Sequence, residues 1–515
     1  MYHVVKIFRS VVGNPLLPIM VLATLLRLSF SVGLQYTDSA LYAESAYNLS
    51  AGNWFVPDSA YSIRYGFVLP IALSIKLLGI SDFALSLYPL ASSLIIIALA
   101  YDIGIRLSGR SVGLVAALLL ATLPLNVFQA TDLHADLPMS MWLALTFWLF
   151  LRGANGAQRA QSWCFGLAGL AFGLAYLTKL TTVVFIPALV ALAVYNRPLK
   201  RSGWALIVLA VIFALESASY YLVTGDVHHR IHAEMAAGEH AREVGMVYPD
   251  RLHNIWLAFS EIPKLILIPY PVSGQTDFGY HFILLPVAFI WIIRRPDRPV
   301  QLLIWFVLLY LALSFATLDF DTFAPAQLRV PRVLEPLCLP SMLLVAMFLV
   351  SVLRFTALCL TILLITLPSL FFSFQLHFDA RQDIGPLEEV YSSYLSARPD
   401  DSVVFADPWT VKCLNCLDRY RHPSRFQEYP ADRATGYVLI NRSVLPRIAR
   451  WLGYSFPSWV LSHQNAELAA SVYPEEQIRG GFRDRLSKGE SLLRSIWSTR
   501  PVTSGAVELW IFTPK

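Results

Sequence analysis

GFVLPIALSIKLLG, residues 66–79, is apolar enough to enter a bilayer but too short to cross one. As a helix it covers about 21 Å, against a hydrocarbon core of about 30 Å. Laid along the membrane surface, it leaves about eleven apolar runs to span: 15–35, 82–105, 111–130, 136–151, 162–178, 180–195, 203–223, 280–293, 300–318, 332–350 and 355–374. Charge tests that choice, because cytoplasmic loops carry an excess of Lys and Arg. With the N-terminus inside, the inner loops hold Arg106 and Arg110; Arg152 and Arg159; Arg197, Lys200 and Arg201; Arg294, Arg295 and Arg298; and Arg354. Counting residues 66–79 as a span would move these basic clusters outside from the next loop onward.

Bulk composition agrees. The chain has 515 residues, 56% of them hydrophobic and only 15% charged, with a mean hydropathy of +0.54, which is too apolar for a soluble globular protein. The expectation is an α-helical polytopic membrane protein with about eleven spans plus interfacial helices. Membrane lipid is its surroundings, and nothing points to nucleic acid. Lys6 and Arg9 precede a long apolar run with no small-residue cleavage site, which reads as a retained first helix. No fixed-period repeat or matched pair of broken helices is visible. From about residue 377 charge density becomes ordinary. Strand-like runs at 402–406, 436–441 and 506–512 and helix-like runs at 386–397 and 444–452 predict a small soluble α/β domain over 377–515, after a membrane domain over 1–376. With a cytoplasmic N-terminus, that domain lies outside the membrane, on the extracytoplasmic side.

The outer face then receives the suspicious polar groups. YTDSALYAESAYNLSAGNWFVP, residues 36–57, predicts a short helix after the first span, with Asp38 and Ser39 at its start. Glu44 lies about 240° round from Asp38, so only one of these acids faces a common site, and Asp38 is the choice. An N-cap with no further duty is the alternative. In TDLHADLPMSMW, Asp136 opens a spanning helix, after Asp132 and His134; a helix-dipole cap is again the competing explanation. Lys179 sits between two apolar helices on the outer side, either snorkelling to headgroups or holding a phosphate as a compact point charge. Arg329 and Arg332 stand at another outer helix mouth, with Glu335 three residues beyond Arg332 as a local ion-pair partner or a site acid. Arg64 is a further candidate cation or headgroup contact.

Loop 224–279 holds His228, His229, His232, His240 and His253 with Glu234, Glu239 and Glu243, in no closed zinc spacing, and reads as an amphipathic cover. Cys413 and Cys416 read as a local disulfide or as free thiols. Arg27 and Glu216, inside spans, are functional by default.

Four of these stretches together resemble membrane glycosyltransferases of the GT-C type, in the branch of lipid A aminoarabinose transferases and protein O-mannosyltransferases. The likeness covers most of residues 37–187, with a further patch at 329–340. TDSALYAESAYNLSAGNWFVP resembles the first-loop motif and implies Asp38 as catalytic acid/base; DLHADLPMSMWLAL implies Asp136. LAYLTKLTTVVFIPAL resembles the Thr-Lys turn and implies Lys179, and VPRVLEPLCLP the Pro-Arg mouth, implying Arg332. One departure stands out. Relatives often carry acid-Lys-Pro before the interfacial helix, where this chain has Ile63, Arg64, Tyr65 and Gly66.

The resemblance implies an inverting transferase taking sugar from a polyprenyl-phosphate donor, with a glycolipid, polysaccharide or protein as acceptor. Lys179, Arg332 and Arg64 would bind the donor phosphate, with Glu44, Asp132, His134, Arg329 and Glu335 in support. No metal ligand set is implied; a divalent cation stays open as a cofactor. The rival class is a lipid-linked sugar flippase or transporter, which predicts polar groups near the bilayer midplane.

Overall fold

The structure is a computed structural model that describes residues 15–35, 38–54, 60–154, 158–196, 199–243, 250–268, 277–319, 321–325, 330–398, 402–430, 432, 436–442, 456–462, 466–472 and 507–512. Arg329, the expected helix at 444–452 and the side chains of Glu239, His240 and Glu243 lie outside the described residues.

Among the described residues, five helices are long and apolar enough to cross a membrane: Asp82–Ser108, Asp136–Ala154, Lys200–Thr224, Pro331–Val352 and Phe355–Gln382. Shorter apolar helices, including Leu16–Ser29, Arg110–Thr122 and Val300–Phe315, pack with them. The protein is a multi-pass membrane protein. Asp136–Ala154 and Pro331–Val352 are mostly enclosed, whereas Lys200–Thr224 and Phe355–Gln382 face outward over most of their length. Pattern explains the difference only in part, because every one of these segments is apolar all round and its neighbours decide which is central.

Several expected spans come out shorter or broken, among them 15–35, helical only over Leu16–Ser29, and 180–195, which opens as the 3-10 turn Leu180–Phe185. The run 111–130 is split into Arg110–Thr122 and Pro124–Gln129. Leu123 is extended (ψ 118°) because a residue before proline is driven out of the α region. Of 280–293 only Leu285–Ile293 is helical, nine residues covering about 14 Å. The deciding stretch forms the helix Tyr65–Leu78, ended by Gly79 at φ +75°. It buries Phe67, Val68 and Ile71 completely.

Near the other end of the chain, Phe355–Val390 is one continuous helix, so the boundary expected near residue 377 falls inside it. Beyond it lies a five-stranded sheet in the order Phe426–Glu428, Val404–Ala406, Gly436–Asn441, Val507–Phe512, Ala466–Val472. The first three strands are parallel and the last two pairings antiparallel. Helix Pro408–Leu417, capped by Asp407 through the Trp409 and Thr410 amides, packs between the sheet and helix Asp38–Ser50 of the bundle. Cys413 and Cys416 are free and buried on that helix. The unit touches the bundle at helix Asp38–Ser50, where Lys412 pairs with Glu44 and Tyr420 stacks on Tyr47 at 4.2 Å.

Candidate functional site

Helix Asp38–Ser50 has no Pro or Gly and ends just before Gly52, whose φ is +88°. Its acids diverge as a 100° step requires. Asp38 points inward and Glu44 points to Lys412 of the sheet unit, so Glu44 takes no part in the cluster around Asp38.

Two loops bring partners to Asp38, and a third brings one to Asp136. The 3-10 turn Pro331–Leu334 carries Arg332, which donates through Nη2 to Asp38 Oδ2 at 3.1 Å and through Nη1 to Nε2 of His134. The turn before Asp136 carries His134, whose Nδ1 lies 2.6 Å from Asp132 Oδ2, and Ser39 donates to the other oxygen of Asp132 at 3.0 Å. The break between helices at Lys179 sends its ammonium to Asp136 Oδ1, 2.6 Å away. Lys179 is buried, which removes the snorkelling alternative. Arg332 is the open cation, its side chain 38% exposed, while His134 and Asp132 behind it are 7% and 5% exposed.

Arg64 completes the cluster. It donates to Tyr42 Oη and lies over the Tyr61 ring at 5.4 Å. A two-pronged pair at 3.2 Å joins it to Glu234, on helix His229–Glu243. That helix is docked by Arg230, which pairs with Glu216 at 2.5 Å and with the Tyr176 carbonyl. The loop 224–279 is therefore in part a helix that hands a carboxylate to Arg64, next to the stretch 63–66 where the resemblance led one to expect an acid.

Glu335 does not pair with Arg332. It turns inward, accepts from Asn126 Nδ2 at 2.5 Å, and Asn126 Oδ1 accepts from the wholly buried Arg27 at 2.6 Å. Gln129, three residues on from Asn126, donates to the Arg332 carbonyl at 3.3 Å. Arg27 is thus a strut beneath the cluster, and Glu335 anchors the helix that follows Arg332. Sequence reading missed Asn126, Tyr42 and Tyr61, and it named Glu234 only as part of the cover. Of these only Tyr42 carried a signal, its four-residue spacing from Asp38 on one helix face.

Electrostatics follow from the pairing. Burial alone would raise the Asp38 carboxyl, but Arg332, His134 and Arg64 outweigh it and hold it below the usual carboxylate range. Burial and then the Asp38 charge push the Tyr61 phenol up to about 12, so it stays a hydrogen-bond donor. Arg64 is buried yet raised, because Glu234 and Tyr42 favour its charged form. Among the described residues no group of three or more His, Cys, Asp or Glu side chains could hold a metal ion.

The bundle that carries this cluster has the fold of GT-C membrane glycosyltransferases. ArnT from Cupriavidus metallidurans bound to undecaprenyl phosphate superposes with a TM-score of 0.56 at 14% identity, over 84% of this chain and 94% of that one. The apo oligosaccharyltransferase of Archaeoglobus fulgidus matches with a TM-score of 0.55 at 13% identity, over 88% of this chain and 72% of that one. In sequence, residues 66–221 match the dolichyl-phosphate-mannose-protein mannosyltransferase family. An undecaprenyl phosphate-alpha-4-amino-4-deoxy-L-arabinose arabinosyl transferase of Erwinia tasmaniensis is 31% identical over 177 residues, 32% of this chain. That alignment spans 31% of the relative's own length. The resemblance read from the four motifs is borne out in both sequence and fold.

Proposed function

We propose that this protein is an inverting membrane glycosyltransferase that moves a sugar from a polyprenyl-phosphate donor to a hydroxyl or phosphate on a glycolipid, polysaccharide or protein. The reaction takes place at the outer face of a bacterial inner membrane. About eleven spans, a cytoplasmic N-terminus and a periplasmic α/β domain over 377–515 complete the reading. The observation that carries it is the gathering of Asp38, Asp136, Lys179 and Arg332, from four distant parts of the chain, as two pairs, Lys179 with Asp136 at 2.6 Å and Arg332 with Asp38 at 3.1 Å, close enough that the Arg332 charge also acts on Asp136.

A phosphate leaving group is already acidic, so its departure needs cations rather than a general acid. Arg332, with Arg64 and Lys179 behind it, would hold the developing charge. Asp38 would take the proton of the acceptor hydroxyl as its oxygen attacks the anomeric carbon from the opposite side, and Asp136 would orient sugar or acceptor through its pair with Lys179. Ionised Asp38 is suited to that task at neutral pH. A flippase is not favoured by the comparisons and has no use for a base beside three cations.

The test is transfer of labelled sugar from a synthetic polyprenyl-phosphate donor by purified protein in lipid nanodiscs. Asp38→Asn should cut turnover by about 100-fold or more while leaving donor binding in place. A folded Asp38→Asn protein working at the wild-type rate rules out the base assignment.

A further inference from the structure

The reaction so written leaves a buried pair unused. Asp132 is braced by Ser39 and lies 2.6 Å from His134 Nδ1. Arg332 Nη1, which can only donate, makes Nε2 the acceptor and so places the ring proton on Nδ1, the nitrogen that faces Asp132; Nε2 lies 3.7 Å from Asp38 Oδ2. A carboxylate holding an imidazole whose far nitrogen faces a proton-carrying oxygen is the arrangement that drains protons in hydrolase triads, with Asp38 here in the serine's place. Arg332 interposes. It bonds to Asp38 Oδ2 and to His134 Nε2 at once, so the two groups between which a proton would pass are held by one guanidinium.

Resting on the transferase reading, we propose that Asp132 and His134 form a proton relay behind Asp38 and that Arg332 gates it, opening when donor phosphate binds. Phosphate oxygens draw the guanidinium away, which frees Nε2 and strips Asp38 of its closest counter-charge, making it a stronger base. The acceptor O–H bond then breaks as its oxygen bonds to the anomeric carbon. The bond from that carbon to the phosphate oxygen breaks with its electron pair leaving on the phosphate. The acceptor proton passes to Asp38 Oδ2, then to His134 Nε2, giving an imidazolium beside Asp132, and finally to water. The charged groups that face His134 are Asp132, Asp38, Arg332 and, from the start of the next helix, Asp136. The base is therefore weak until the donor is seated, which couples the order of binding to proton transfer.

The discriminating variant is His134→Gln, whose amide can donate to Asp132 and accept from Arg332 but cannot carry a proton. With full-length protein in nanodiscs and a polyprenyl-phosphate sugar, kcat should fall roughly 10- to 100-fold with donor KM within about twofold. The ionisation that wild type shows in its kcat–pH profile should vanish. Asp132→Asn should do the same by turning the imidazole to the wrong tautomer, and it decides the matter if His134→Gln does not fold. A wild-type kcat and pH profile in these variants overturns the relay and leaves the transferase reading standing. So does a raised donor KM with an unchanged profile, the mark of a purely structural histidine. Absence of transfer by wild type itself overturns the transferase reading and the relay with it.

Discussion

Removing the Lys179 ammonium leaves Asp136 as an uncompensated charge inside the protein. Nζ and Oδ1 are 2.6 Å apart, and the two side chains are 9% and 4% exposed. At that separation unit charges attract by about 6 kcal/mol at an effective dielectric of about 20. Desolvation offsets much of this when the pair forms, yet losing one partner of a buried pair costs about 3–5 kcal/mol, since the other stays desolvated and alone. We expect Lys179→Met to lower stability by about 3 kcal/mol and Asp136→Asn by somewhat less, because the amide keeps a hydrogen-bond acceptor. The double variant Lys179→Met/Asp136→Leu should recover most of the loss, since no charge is left to strand. Activity should not follow. All three proteins should transfer sugar about 100-fold more slowly, as expected when an electrostatic group at the leaving phosphate is lost. Unfolding in detergent micelles, read in parallel with transfer in nanodiscs, separates the two effects. Single variants as stable as wild type, or losses that simply add in the double, refute the buried pair. A double variant that regains activity along with stability refutes its place in the chemistry.

The Asp38 carboxyl is held below its ordinary range, so the stability it contributes is present above the unfolded carboxylate pKa and lost as pH falls through the lower folded value. Thermal midpoints of wild type and Asp38→Asn should therefore differ at neutral pH and converge below about pH 4; a gap that widens in acid contradicts the Arg332 pairing. A Cβ on Gly66 would lie 2.5 Å from the Thr178 amide nitrogen and 2.7 Å from the Leu177 carbonyl carbon, backbone atoms that cannot step aside. Gly66→Ala should thus cost about 1–3 kcal/mol and slow transfer by displacing Lys179 one residue later; wild-type stability and rate would show that the contact is not close. Breaking the partly exposed pair of Glu44 and Lys412 by Glu44→Ala should cost under about 1 kcal/mol and leave transfer intact. A large loss of rate would return Glu44 to the site.

How much was readable beforehand depends on whether a signal was local. The short helix Tyr65–Leu78 was legible from its apolar run ended by Gly79, and the divergence of Asp38 and Glu44 from helical geometry alone. Strands at 404–406, 436–441 and 507–512 showed in β-branched and aromatic runs, while Phe426–Glu428 and Ala466–Val472 did not: one is three residues long, and the other is rich in alanine and serine. What sequence could not supply is pairing across the fold. Arg27 and Glu335 are 308 positions apart and meet only through Asn126, on a helix six residues long that exists because Pro124 interrupts what hydropathy reads as one span. The same break aims Gln129 at the Arg332 carbonyl. A proline inside an apolar run is ordinarily discounted as a kink. Here it turns a membrane segment into a bracket that supports the most exposed cation of the cluster, and an uninterrupted helix would carry Asn126 and Gln129 away from both partners. Arg332 in turn holds Asp38 and His134, so the geometry of the base is set from beneath, by a residue pattern that carries no catalytic signature of its own.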